Sequence, residues 1–155
     1  MKKLLILLAI ALAITSVDAQ QLIWSPDGNS YALFEEGGIY QYDVKSGVRK
    51  ALLTKEQLTP SGGSALEVDH YSFSADQSKI LLFANTQRVW RLNTRGDYWV
   101  FDTTTGTLRQ IGATLPAASL MFAKFSPDGN QVAYVSNYPA EFLVDGVVQR
   151  RMALL

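Results

Sequence analysis

Three times this chain writes an aromatic residue, a serine and a tight turn, and each time a β-rich apolar run follows. The copies are Trp24-Ser25-Pro26-Asp27-Gly28-Asn29, Phe73-Ser74-Ala75-Asp76-Gln77-Ser78 and Phe125-Ser126-Pro127-Asp128-Gly129-Asn130, spaced by 49 and 52 residues. Proline presets φ for the first central turn position and glycine supplies the positive φ that closes the turn, so Pro-Asp-Gly-Asn is a strong hairpin signal. The runs that follow are Tyr31-Ala32-Leu33-Phe34, Ile80-Leu81-Leu82-Phe83-Ala84 and Val132-Ala133-Tyr134-Val135. They are nearly continuous in apolar residues, as strands are when both faces are covered.

A second element recurs behind the first. Tyr40-Gln41-Tyr42-Asp43-Val44-Lys45-Ser46-Gly47 parallels Tyr98-Trp99-Val100-Phe101-Asp102-Thr103-Thr104-Thr105-Gly106. Each is an aromatic strand ending in Asp, a turn closed by Gly, and an outgoing strand. Two hairpins in series make four strands, and a four-stranded unit repeating near 50 residues is a β-propeller blade. The expected fold is therefore all-β, a partial β-propeller of four-stranded antiparallel blades, with blades at Trp24–Leu53 and Tyr71–Ile111 and a third beginning at Phe122. A propeller closes with roughly four to eight blades. The 155 residues hold fewer than three, which predicts the N-terminal piece of something longer. No stretch sustains a helical period after the first twenty residues.

Those first residues read separately. Lys2 and Lys3 precede an unbroken apolar run from Leu4 to Ile14, and Val17-Asp18-Ala19 offers small residues for cleavage. The sequence predicts a signal peptide over 1–19, too short to span a bilayer at about 20 residues. An incomplete propeller domain follows over 20–155. The expected address is exported, periplasmic or extracellular, in a bacterium, with no membrane span left after cleavage. With 14 basic and 14 acidic side chains, formal net charge zero and no basic block, the chain gives nucleic acid nothing to bind. It has no cysteine, so no disulfide supports the core.

Catalytic and metal signals are weak. No Gly-x-Ser-x-Gly occurs, so no catalytic residue is assigned, and Gly62-Gly63-Ser64 reads as a loop. His70, the sole histidine, reads as a structural or surface residue. Glu35-Glu36 before Gly37-Gly38 reads as a turn cap in solvent, and no metal ligand set or cofactor is expected. Arg95-Gly96-Asp97 reads as a hairpin tip.

One segment stands out. Ser25 to Asp43 is 18 residues whereas Ser74 to Asp102 is 28, so the second blade carries ten extra residues around Thr86 to Asp97. Insertions in repeat arrays go to one face, often the binding face. Three arginines and a tryptophan fall within Gln87-Arg88-Val89-Trp90-Arg91-Leu92-Asn93-Thr94-Arg95. An arginine fork held beside tryptophan is a good donor to a carbonyl or carboxylate. Equally open is a Trp90 that packs against the neighbouring blade beside solvated arginines.

The run from Tyr71-Ser72-Phe73-Ser74 through Ile80-Leu81-Leu82-Phe83, Val89-Trp90-Arg91, Tyr98-Trp99-Val100-Phe101-Asp102 and Phe125-Ser126-Pro127-Asp128-Gly129 to Val132-Ala133-Tyr134-Val135 resembles the N-terminal propeller of dipeptidyl peptidase IV-like enzymes, serine peptidases of the prolyl oligopeptidase family. The resemblance spans about Trp24 to Asn137 and is most specific at Trp90-Arg91 in the extended second blade. It implies an eight-bladed propeller over a C-terminal α/β-hydrolase domain, with the active site between them. It further implies that Arg91 points into that cavity and holds a substrate carbonyl. The catalytic triad and the paired glutamates that hold the substrate amino terminus would lie beyond this chain, leaving the fragment inactive alone. Pro139 and the tail Gln149-Arg150-Arg151-Met152-Ala153-Leu154-Leu155 depart from the family pattern.

The expected role is thus the non-catalytic propeller portion of an exported serine exopeptidase, with peptide as substrate and a homodimer left open for the full-length protein. The alternative is a stand-alone periplasmic propeller module for binding or assembly. If side chains alternate along one extended strand, Val89 and Arg91 share one face while Trp90 and Leu92 share the other. Trp90 would then anchor the strand between blades, Arg91 would project to the cavity, and Arg88 and Arg95 would sit solvated at the ends of the excursion.

Overall fold

A computed structural model describes residues 21–136. The signal-peptide reading of 1–19, Pro139 and the atypical tail lie outside the described residues. Ten strands follow in order and, among the described residues, no helix: β1 (Ile23–Trp24), β2 (Ser30–Glu35), β3 (Gly38–Asp43), β4 (Arg49–Leu53), β5 (Val68–Phe73), β6 (Lys79–Val89), β7 (Leu92–Asp102), β8 (Thr107–Ile111), β9 (Leu120–Phe125) and β10 (Val132–Ser136). β1 to β4 form a four-stranded antiparallel meander, the first blade. β5 to β8 repeat that meander as the second blade, and β9 and β10 open the third. The expected architecture is present, with the third unit starting at Leu120 rather than Phe122.

The repeated turn has one chemistry in all three copies. Ser25 Oγ donates to Asp27 Oδ1 at 2.6 Å and accepts from the Ser30 amide at 3.0 Å. Ser74 does the same with Asp76 at 2.6 Å and Lys79 at 2.9 Å, and Ser126 with Asp128 at 2.5 Å and Gln131 at 2.9 Å. The second aspartate oxygen is taken by Asn29, Ser78 or Asn130. These bonds to the charged form hold Asp27 and Asp76 at about 2 and lower Asp128, with the serine hydroxyl the leading cause each time. Each turn closes on a residue with positive φ: Gly28 at 68°, Gln77 at 59° and Gly129 at 70°. The middle copy has Gln77 where the other two have glycine, and it takes the same conformation.

The second hairpin is equally repetitive. Asp43 accepts from the Ser46 amide at 2.7 Å, and Asp102 from the amides of Thr104 and Thr105 at 2.8 and 3.0 Å. Gly47 and Gly106 take the left-handed position in each turn. The two turns of a blade are also joined, through Val44 N–H to the Asn29 carbonyl in the first and Thr103 N–H to the Ser78 carbonyl in the second, each at 2.9 Å.

Blade stacking follows from strand alternation. On β6, Ile80 and Leu82 face the first blade with Phe101 and Tyr71, meeting Ala32, Ile39, Leu53 and Leu58. Leu81 and Phe83 face the other way with Tyr98 and Val100, meeting Leu120, Ala123 and Val132 of the third. The run Ile80–Ala84 is buried throughout. In β2 only Ala32 is buried, because the described residues pack a neighbouring blade on one of its faces alone. Tyr71 ties the first two blades together. Its hydroxyl lies 2.9 Å from the Ala32 carbonyl and 3.0 Å from that of Gln21, sharing one proton between them. Burial pushes the phenol up to about 12. The loop between these blades is ordered by a reciprocal cap, in which Thr54 N–H reaches Gln57 Oε1 at 3.0 Å and Gln57 N–H reaches Thr54 Oγ1 at 3.5 Å. That single turn delivers Leu58, fully buried, into the core.

Two expectations follow for stability. A non-glycine residue in the left-handed region costs roughly 1–2 kcal/mol, partly offset by the greater unfolded-state entropy of glycine. Gln77→Gly should therefore raise unfolding free energy by about 0.5–1 kcal/mol in urea titration. Because the turn aspartates have folded-state values below the ordinary 3.8, their stabilisation is complete above pH 4 and is lost as pH falls from about 4 towards 2. Asp76→Asn removes one titrating group, so stability measured by denaturant melts over this window should fall less steeply than in the parent chain.

Candidate functional site

The ten additional residues of the second blade are strand, not loop. β6 and β7 run eleven residues each where β2 and β3 run six, so the insertion lengthens one hairpin into an arm. Val89 pairs with Leu92, leaving Trp90-Arg91 as a two-residue connection at its tip. Trp90 has φ of 62° and Arg91 does not share it, as in a hairpin turn whose first central residue alone is left-handed. Glycine is the usual occupant there; tryptophan brings strain.

This geometry corrects the reading of Trp90 as an anchor between blades. The chain reverses at Trp90-Arg91, so the alternation of a single strand does not apply across it. Trp90 is 93% exposed and Leu92 is 69% exposed. Arg91 is exposed at the tip beside Trp90. Arg88 is exposed on the outgoing side, as expected, but Arg95 is not a solvated end residue. It is half-buried in β7, its Nη2 donates to Gln87 Oε1 at 3.1 Å, and its Nε is buried without a partner. Arg95-Gly96-Asp97 is accordingly the middle of a strand, not a hairpin tip.

The arm is fixed where it leaves the blade. Ala84 pairs with Asp97 and Gln87 with Arg95, so Asn85 and Thr86 bulge opposite Gly96, with Asn85 at φ 47°. Asp97 joins three segments: its Oδ2 accepts from Asn85 Nδ2 and its Oδ1 from the Ala118 amide, both at 2.7 Å. Just beside it, Arg95 and Gly96 pair with Met121 and Leu120 of β9, so the arm's base continues the sheet into the third blade. Gly96 allows this closeness; a Cβ there would lie 2.5 Å from the Phe83 ring and 2.7 Å from the Ala84 carbonyl. Of six non-glycine residues with positive φ among the described residues, Asn85, Trp90, Ala118 and Phe122 all lie on the arm or its junction with β9.

Two cavities lie between the second and third blades. One of 290 Å³ sits near the arm, with Leu81, Phe83, Tyr98 and Ala123 as apolar lining and Asn93 and Thr94 of the arm beside them. The other, 510 Å³, lies at the Lys79 and Asp102 end of the same strands. The sole histidine, His70, is exposed at the edge of the first cavity. Glu36 forms the β2–β3 turn with Gly37, but Glu35 ends β2 instead of capping. Both pair with Arg49, at 3.2 and 3.1 Å, and Tyr42 donates its hydroxyl to Glu35. Such exposed pairs contribute about 0–1 kcal/mol. Gly62-Gly63-Ser64 is an exposed turn closed by Gly63 N–H to the Pro60 carbonyl at 2.9 Å.

Repeated four-stranded blades stacked face to face define a β-propeller portion, and the comparisons with known proteins agree. Residues 74–139 match the family described as the dipeptidyl peptidase IV (DPP IV) N-terminal region. The chain is 29% identical over 93 residues to the probable dipeptidyl-aminopeptidase B of Aspergillus oryzae, covering 60% of this chain and 10% of that protein. Against the probable dipeptidyl-aminopeptidase B of Colletotrichum graminicola it is 28% identical over 127 residues, covering 72% and 14%. The crystal structure of Porphyromonas gingivalis dipeptidyl peptidase 4 superposes with a TM-score of 0.64 at 23% identity, over 74% of this chain and 16% of that one. Residues 74–139 are thus similar to the N-terminal propeller region of dipeptidyl peptidase IV-like proteins, and the chain spans about a tenth to a seventh of the length of the curated relatives it matches.

Sequence reading located the arm but missed Asn85, Gly96 and Asp97 as its base. A glycine inside a strand pattern was the available signal, since it marks a bulge or a close backbone approach. Gly96→Ala should destabilise the chain by about 1–3 kcal/mol in chemical denaturation, because the added methyl meets backbone and a buried ring. Arg88→Ala should change stability by less than about 0.5 kcal/mol.

Proposed function

We propose that this chain is the non-catalytic propeller portion of an exported dipeptidyl peptidase IV-like serine exopeptidase, where it binds peptide substrate and governs its access to the hydrolase domain. Arg91 carries that role by donating to a substrate backbone carbonyl or carboxylate. The supporting observation is the arm itself: a hairpin of nearly doubled length, fixed at its base by Asp97, that presents Arg91 at a two-residue tip. A guanidinium on a short, strained connection has less freedom to lose than one on a loop, so binding costs less entropy. The neighbouring Trp90 ring, itself exposed, supplies apolar surface beside the cation. The contribution is positioning; bond cleavage belongs to groups supplied by the hydrolase domain. The basic and apolar segments of residues 1–19 support export to the periplasm or the extracellular space, and a homodimer of the full-length enzyme fits the same proposal.

The test is steady-state peptide hydrolysis by the full-length enzyme that carries this arm. A charged hydrogen bond contributes about 1.5–3 kcal/mol, so Arg91→Ala should lower kcat/KM roughly ten- to hundredfold. Arg88→Ala, at a solvated position, should leave it within about twofold. Unchanged turnover in a folded Arg91→Ala enzyme would show that the tip arginine binds no substrate.

A further inference from the structure

We propose that the 290 Å³ cavity at the base of the arm is a subsite for one aromatic side chain of a peptide whose backbone runs on to Arg91; this rests on the peptide-binding reading above. Its size is near the lower end of ligand pockets, roughly 300–1,000 Å³, and suits a single ring with its adjoining backbone better than a larger ligand. Phe83 and Tyr98 line it as a stacked pair, centroids 4.6 Å apart and planes 24° apart, with Leu81 and Ala123 alongside. A ring entering from the open side can meet that pair edge to face, the arrangement aromatic quadrupoles favour.

The remaining lining comes from three strands and, apart from the rings of Tyr71 and Phe122, is polar. Ser72 stands on β5, Asn93 and Thr94 on β7, and Lys124 on β9, giving hydroxyl, amide and ammonium groups to the amides of an extended peptide. Asp69 and His70 also stand at the edge, and with Asp69 and Lys124 the rim carries both signs of charge and selects for neither a strong anion nor a strong cation. An uncharged aromatic side chain is what such a rim and floor have in common.

Position links the cavity to the tip. Asn93 is the second residue of β7 and lies two residues beyond Arg91 of the turn, so their Cα atoms are at most about 7 Å apart, within one or two peptide units. The larger cavity offers no such link. It opens beside Lys79, ten residues along β6 from Val89, which is roughly 30 Å of strand.

The experiment is photo-crosslinking of the full 155-residue chain with glycyl-p-benzoylphenylalanyl-glycine, mapping adducts by peptide mass spectrometry. The expected adducts fall on Leu81–Phe83, Tyr98–Val100 and Phe122–Lys124, and excess Gly-Phe-Gly competes whereas Gly-Gly-Gly does not. Thr94→Phe, which fills the cavity from the arm, should cut those adducts about tenfold with the strand signal in circular dichroism unchanged. Gly-Phe-Gly competition answers the same question without a variant. If Arg91→Ala also lowers the adducts several-fold, both the subsite and the tip arginine stand. Cavity adducts indifferent to Arg91→Ala support the subsite and remove Arg91 from it. Adducts confined to the Trp90–Arg91 tip, adducts spread over the surface, or cross-linked dimers in their place overturn the subsite, and the first of these leaves the tip arginine standing.

Discussion

The second blade is covered on both faces, and the rest of the described structure depends on that. The five residues from Ile80 to Ala84 are all buried, with alternate side chains sent to opposite neighbours. A shift of one residue in the pairing of β6 would exchange the two sets and leave neither interface complementary. What fixes the phase is the turn before it, where Ser74 and Asp76 determine which residue is first on the strand. Gly129 of the third blade's turn lies against this one, its Cβ position only 3.1 Å from Ser74 Cβ. The repeated turns therefore serve both to reverse the chain and to set the blades in phase with each other.

The arm uses the same strands for a different purpose. Up to Ala84 and Asp97, β6 and β7 are interior strands of a packed blade. Beyond that point the pairing shifts twice, and exposure rises until Trp90 stands almost wholly in solvent. Bulges bend and twist a ribbon, and here they turn the hairpin away from its own blade towards β9. Placing Asp97 at the departure point ties β6, β7 and the loop before β9 to a single carboxylate. A long two-stranded ribbon is only marginally stable by itself; pairing its base with β9 and locking it with Asp97 makes it part of the sheet.

Much of the fold was legible because its signals are local. Pro-Asp-Gly-Asn and Asp-x-x-x-Gly turns impose backbone conformations through their own side chains, so copies 49 and 52 residues apart announce the blade count directly. The arm's length was legible from the spacing between Ser74 and Asp102. Its shape was not. Leu81 and Leu82 have the same chemistry yet belong to different cores. Arg91 and Arg95 are the same residue type four positions apart, yet one is exposed at a turn and the other half-buried in a strand.

By itself the sequence determined the repeat, the turn chemistry and the place of the insertion, since each rests on contacts within a few residues. Only the tertiary structure decided that the insertion is a hairpin reversing at Trp90-Arg91. It also decided that Gly96 is required by the Phe83 ring and that Asp97 bonds a residue 21 positions away. These depend on which strands come together, and pairing between distant segments is set by burial of the whole sheet. That is also why Trp90, which composition alone would bury, stands in water. Its place was fixed by the two strands that end on either side of it.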